Sequence, residues 1–225
     1  MSIWSRITEA LRALGRGQGL SALFERPPER RVAFTIAVIA LGAKMAKADG
    51  LVTRDEVSAF REVFQIARED EAGAARLFNL ARQDVAGFED YAARIRAMFG
   101  QGSPTLCDLM EGLFHIALAD GDYHPEEDRF LAQVAEIFGL PEAQFRALRA
   151  RFVPEAGQDP YAVLGVPPDA PMAEVRAAWR QLVRDCHPDR MLARGVPEEA
   201  VRLAERRLAD VNRAWDAVRA ERGAA

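Results

Sequence analysis

Residues 36–66 recur at 107–137 without a gap, and this repeat restricts the fold more than any other feature of the chain. Ala46/Ala117, Ala48/Ala119, Asp49/Asp120, Gly50/Gly121, Glu56/Glu127, Val63/Val134 and Ile66/Ile137 are identical, and Met45/Ile116 and Phe60/Leu131 are conservative pairs. Each copy reads as an apolar helix, an Ala-Asp-Gly turn and a second, amphipathic helix. Two such hairpins are expected to bury their apolar faces on each other around a pseudo-twofold axis. Between the copies, residues 71–83 and 89–99 carry helical periodicity through Ala74, Leu77, Phe78 and Ala81, and through Tyr91, Ile95, Met98 and Phe99. The predicted fold class is all-α.

The first apolar helix, residues 32–46, invites comparison with a membrane span. It falls short of the roughly 20 apolar residues that cross a bilayer, and it contains Lys44. It starts too late for an ordinary signal peptide, although Ala46-Lys47-Ala48 has the form of a cleavage site. Membership of the repeat makes it a buried core helix, and no transmembrane segment is predicted.

A second constraint is His187-Pro188-Asp189, between an amphipathic helix over 172–186 and another beginning near Glu198. In the first helix Val175, Ala178, Trp179, Leu182 and Cys186 recur at three-and-four spacing, while Arg176, Arg180 and Arg184 fall on another face. In the second, Ala200, Leu203, Ala204, Leu208, Val211, Ala214, Trp215 and Val218 mark a long stripe that can pack antiparallel on the first. Proline disfavours the α conformation in the residue before it, so Pro188 is expected to end the first helix at about His187 and leave the three side chains on a turn. His187 offers an imidazole donor or acceptor, and Asp189 a carboxylate able to take a bidentate guanidinium. A helix-ending proline followed by a turn Asp would give the same tripeptide with no partner. Upstream, residues 159–166 read as a short helical turn closed by Gly165, and 167–171 lead into the next helix.

Residues 159–219 resemble the J domain of DnaJ-type co-chaperones. The resemblance rests on the entry segment 161–166, the stretch 179–182, His187-Pro188-Asp189 itself, and Val211-Asn212-Arg213-Ala214-Trp215. It implies that His187, Pro188 and Asp189 are an obligatory contact loop and that Arg176, Arg180, Arg184 and Arg190 form a basic face. Together they would dock on a DnaK-type chaperone ATPase and stimulate its ATP hydrolysis. The family's usual second-helix Tyr is Trp179 here, an exchange between large amphipathic rings. Asp185 sets an acid beside the basic face, which would weaken steering. No Gly/Phe-rich linker and no Cys-x-x-Cys repeats follow, so the zinc- and substrate-binding parts of full-length DnaJ are not expected. Client proteins would then be met by residues ahead of the J domain.

The acidic turns of the repeat allow two readings. Asp49 and Asp55–Glu56 in one copy, and Asp120, Asp122 and Glu126–Asp128 in the other, could supply oxygen ligands to a hard divalent cation. Equally, Thr53-x-x-Glu56 is a capping box, Pro125 suits a first helical turn, and acids there complement the macrodipole. The spacing departs from the EF-hand pattern. Residues 30–150 resemble the TerB-like helical domain through the repeated Ala-Asp-Gly turn and acidic helix start. Some members of that family are associated with metal, which implies Asp49, Glu56, Asp120 and Glu127 as metal positions; no other cofactor is expected. A TerB-like domain followed by a J domain is similar to the DjlA-like branch of the DnaJ family, as is the loop over 191–199. Members with an N-terminal membrane anchor exist, and none is expected here.

The organisation that follows is an N-terminal arm (1–29), a TerB-like domain (30–151), a linker (152–158) and a J domain (159–225). The short linker implies limited domain reorientation. On the arm, Ile3, Trp4, Ile7, Leu11 and Leu14 form an apolar stripe beside Arg6, Arg12 and Arg16. It could lie on a membrane surface, or pack on the TerB-like body or a second subunit. A net charge of -4 and pI near 5.6 argue against a general nucleic-acid binder. Cys107 and Cys186 are expected to be reduced and half-buried, as in a cytosolic chain. With 3 histidines and no phosphate-binding glycine loop, nucleophile elbow or zinc-protease pattern, the chain reads as an activator of a partner ATPase, not an enzyme. The TerB-like domain would serve targeting or client selection, in the cytoplasm or peripherally on the inner membrane. The alternative is a metal-responsive TerB-like module with an accessory J domain.

Overall fold

The computed structural model describes residues 6–7, 9–10, 30–48, 71–83, 87–119, 121–153, 159–198 and 201–223. From residue 30 onward its elements are α1 (Arg30–Ala48), α2 (Glu71–Gln83), α3 (Phe88–Phe99), α4 (Pro104–Ala117), α5 (Pro125–Phe138), α6 (Glu142–Phe152), α7 (Pro160–Leu164), α8 (Met172–Asp185), α9 (Pro188–Arg194) and α10 (Val201–Gly223). No strand occurs among the described residues, in keeping with the all-α reading.

The apolar run is α1, and it is buried on every side. Phe34, Ile36, Ala37, Val38, Ala40 and Leu41 are all 0% exposed, which is how a helix without a polar face sits in a globular core. Thr35 and Lys44, polar residues buried on it, are accommodated locally: the Thr35 hydroxyl donates to the Arg31 carbonyl at 3.1 Å, and the Lys44 ammonium lies 5.1 Å from the Tyr91 ring centre, a cation–π distance. No described helix is long and apolar enough to cross a membrane.

α4 is the counterpart of α1 in the second copy of the repeat and is likewise buried along most of its length. The two helices meet at Gly112, where a Cβ would stand 3.3 Å from Val38 Cγ1; the absent side chain lets the backbones close. Phe114 of α4 gathers the C-terminal side of the domain, stacking on Phe152 at 5.4 Å and on Tyr123 at 6.2 Å between ring centres. The amphipathic helix expected at the end of the first copy, with most of the N-terminal arm, lies outside the described residues. Of the arm's stripe, Ile7 is described, and it is buried in this core, one of the placements the sequence left open.

A second core forms in the C-terminal segment from Tyr161, Val163, Leu164, Ala170, Val175, Val211, Ala214, Trp215 and Val218. Trp179 stacks on Trp215 with centres 5.0 Å apart, and its indole N–H donates to Asn212 Oδ1 at 3.0 Å. A tryptophan therefore fits here because its polar edge finds a partner. Arg222, near the end of α10, donates to the Tyr161 hydroxyl at 3.0 Å and the Ala170 carbonyl at 2.7 Å, tying the 166–171 segment down.

Two expectations need correcting. Phe152, placed in the linker, is the last residue of α6. Leu203 and Ala204, read as part of the stripe facing α8, are instead buried in the first core with Met191 and Val196. The reason is length: α10 has 23 residues against 14 in α8, about 34 Å against 21 Å at 1.5 Å per residue. Its N-terminal turns overhang α8 and pack on the TerB-like body.

Candidate functional site

The tripeptide does not sit on an open turn. α8 stops at Asp185, Cys186 caps it, and Pro188 then opens a separate helix, α9, with His187 as its N-cap. Proline suits this first position because its fixed φ is helical and its missing N–H would have had no partner. His187 Nδ1 accepts the Asp189 N–H at 3.2 Å, which assigns the ring proton of the neutral imidazole to Nε2. The side chains of His187 and Asp189 are 58% and 86% exposed, so imidazole and carboxylate are both open to a partner.

The arginines expected to form a basic face are unevenly engaged. Arg176, Arg180, Arg184 and Arg190 are all exposed. The Arg176 guanidinium lies 5.9 Å from the Trp215 ring centre, and Arg184 donates to Gln181 Oε1 at 2.6 Å. Arg190 pairs with Asp185 at 3.4 Å. Asp185 also accepts from Gln181 at 2.7 Å, so the acid expected to weaken steering is engaged by α8 and α9 themselves.

Behind this exposed loop lies a buried charge cluster that sequence reasoning missed. The Nε and Nη2 groups of Arg194, the last residue of α9, donate to Asp108 Oδ2 at 3.1 and 2.9 Å. Nη2 also donates to the Asp185 carbonyl at 3.1 Å, satisfying a free C-terminal group of α8. Arg207 of α10 lies 3.4 Å from Asp108 and 3.6 Å from Glu111, and Arg151 of α6 pairs with Glu111. Asp108 and Glu111 are only 1% and 2% exposed. Burial pushes the Asp108 carboxyl up to about 6, against the pull of Arg207 and Arg194. α9 then ends at Gly195, whose φ of 93° favours glycine and where a Cβ would lie 2.7 Å from Arg30 Cβ of α1.

The cysteines flank this cluster. Both are free and fully buried, not half-buried as expected. Burial pushes each thiol up to about 11, so Cys186 is no nucleophile for the adjacent His187.

Of the acidic residues expected to hold metal, Glu127 is engaged in starting a helix. It is 4% exposed and accepts the His124 N–H at 2.9 Å as the far half of a capping box at the head of α5. That engagement does not suit an open metal ligand. Asp49, Glu56 and Asp120 lie outside the described residues. Among the described residues no group of three or more His, Cys, Asp or Glu could hold a metal ion.

Residues 35–150 match the family model described as Tellurite resistance protein TerB, and residues 159–222 match the one described as DnaJ domain. The chain belongs to the TerB family over the first segment and carries a J domain in the second. More particularly, the order of the two domains is matched by similarity over most of the chain to proteins named Co-chaperone protein DjlA. The Co-chaperone protein DjlA of Photobacterium profundum is 28% identical over 221 residues, covering 87% of this chain and 80% of that protein. Its namesake from Vibrio vulnificus is 26% identical over 254 residues, covering 97% and 87%, and that from Coxiella burnetii 28% over 195 residues, covering 78% and 72%. No solved structure gives a significant match.

Proposed function

We propose that this co-chaperone docks its J domain on a DnaK-type chaperone and stimulates that partner's ATP hydrolysis while catalysing nothing itself. The observation that carries the reading is the joint display of His187 and Asp189 at the exposed start of α9, next to the exposed Arg176, Arg180 and Arg184 of α8. The arginines steer an acidic surface of the partner into place, so association weakens as salt rises. The loop then makes contacts that favour the partner's hydrolysis-competent state, a population shift whose size equals the difference in binding to the two states. The TerB domain selects location or clients, acting from the cytoplasm or at the inner membrane surface. Single-turnover ATP hydrolysis by a DnaK-type chaperone, with and without the full chain, tests the reading. Acceleration by the wild type and none by His187→Gln is expected; equal rates with both proteins would remove it.

A further inference from the structure

We infer that Asp108 of the TerB domain is a positioning residue for the His187-Pro188-Asp189 loop, acting through Arg194, so that the TerB domain helps set the activating geometry of the J domain. The inference rests on the function proposed above.

α9 is a rigid lever of 7 residues with the contact loop at one end and Arg194 at the other. Its length is about 10 Å, so a tilt of about 10° about the Arg194 end would move the loop by about 2 Å. Much of what fixes that end comes from the TerB domain. Asp108 takes two of the Arg194 donors. The Thr105 hydroxyl reaches the Arg194 carbonyl at 3.5 Å. Gly195 abuts Arg30, and Met191 and Val196 are buried in the TerB-side core. Arg194 at the same time holds the Asp185 carbonyl, so one guanidinium joins the end of α8, the end of α9 and α4.

Energetics support a positioning role over a stabilising one. A buried carboxylate between guanidinium groups gains Coulomb energy but loses at least as much on leaving water, so a fully neutral, packed cluster would serve stability at least as well. What the ion pair contributes is direction: the planar guanidinium and the carboxylate meet in few orientations.

The test uses the full chain, stimulating single-turnover ATP hydrolysis by a DnaK-type chaperone. Asp108→Asn keeps the side chain's shape, and Arg194→Gln changes the partly exposed partner. Each is expected to lower the maximal stimulated rate about tenfold, within the roughly 100-fold that a 1 Å misplacement can cost. The co-chaperone concentration giving half the effect stays unchanged, because the arginines of α8 are untouched. The double variant falls no further than either single one. Amide exchange over 190–196 quickens in Asp108→Asn while that of Tyr161 and Trp215 does not. Wild-type maximal rates with both variants, or losses that simply add, would overturn the inference while leaving the proposed function standing. Absence of stimulation by the wild type would instead remove both.

Discussion

Neutralising Asp108 is expected to stabilise the fold at neutral pH, by an amount that depends on pH. Burial raises this carboxyl from 3.8 to about 6, opposed by Arg207 and Arg194. The folded protein therefore keeps a proton that the unfolded chain releases between those values. This group's contribution to stability is fully present below 3.8 and is lost as pH rises through about 6. A shift of two pH units is worth roughly 3 kcal/mol. Asp108→Asn has nearly the same shape and does not titrate. The groups that face position 108, Arg194 from α9, Arg207 from α10, and Glu111 and Cys107 on α4, are common to both proteins. So are Arg151 of α6 and Cys186 at the end of α8, which share the cluster. Glu111 still pairs Arg207 and Arg151, and Arg194 keeps the Asp185 carbonyl. Urea unfolding at a series of pH values gives the difference in stability directly, with the other carboxylates cancelling. The two proteins are expected to match near pH 4, and the variant to be ahead by about 3 kcal/mol at pH 7. A difference that is flat with pH, or a wild type that is more stable than the variant at pH 7, would refute the reasoning. Set beside the tenfold loss of stimulation inferred above, the expected result is a variant that is more stable and less active.

Three further outcomes can be checked on purified protein. Gly195→Ala is expected to cost about 2–4 kcal/mol in urea unfolding and Gly165→Ala about 1–2, because both sites are left-handed but only a Cβ at 195 would meet another side chain, that of Arg30. Arg180→Ala, at an exposed position, is expected to leave stability within about 0.5 kcal/mol and to slow association with the chaperone at low salt, the difference from wild type closing at high salt. Glu127→Ala removes the acceptor for the His124 N–H and is expected to cost about 1–2 kcal/mol, whereas Glu127→Gln, which keeps an acceptor oxygen, loses less.

What is legible in the sequence follows physical range. The buried α1 can be read because an apolar run that recurs in a second copy needs a core, and the J-domain stripe because three-and-four spacing is local. The segment His187-Pro188-Asp189 is legible as a motif, but its conformation is not. Pro188 reads as a terminator, whereas the same fixed φ and missing N–H make it an initiator once His187 caps the helix. The charge cluster is illegible for a different reason. Arg194 and Arg207 lie 86 and 99 residues from Asp108 in the chain, and a lone arginine on an amphipathic helix reads as solvated surface. The usable signal is on the acidic side. Asp108 and Glu111 interrupt an otherwise apolar helix at i and i+3 spacing, and two acids on one face of a buried helix require cations from somewhere. The metal reading of the acidic turns meets a related ambiguity, since capping and ligation favour the same residue types; at Glu127 the cap accounts for the residue.

The most direct test of the co-chaperone account is single-turnover ATP hydrolysis by a DnaK-type chaperone in the presence of His187→Asn. Asparagine is a good N-cap, so α9 keeps its start while the imidazole is lost. The account predicts stimulation by the wild type and a rate with His187→Asn close to that of the chaperone alone. A variant that stimulates as strongly as the wild type would reduce His187 to a helix cap and contradict the assignment of this loop as the contact that acts on the chaperone.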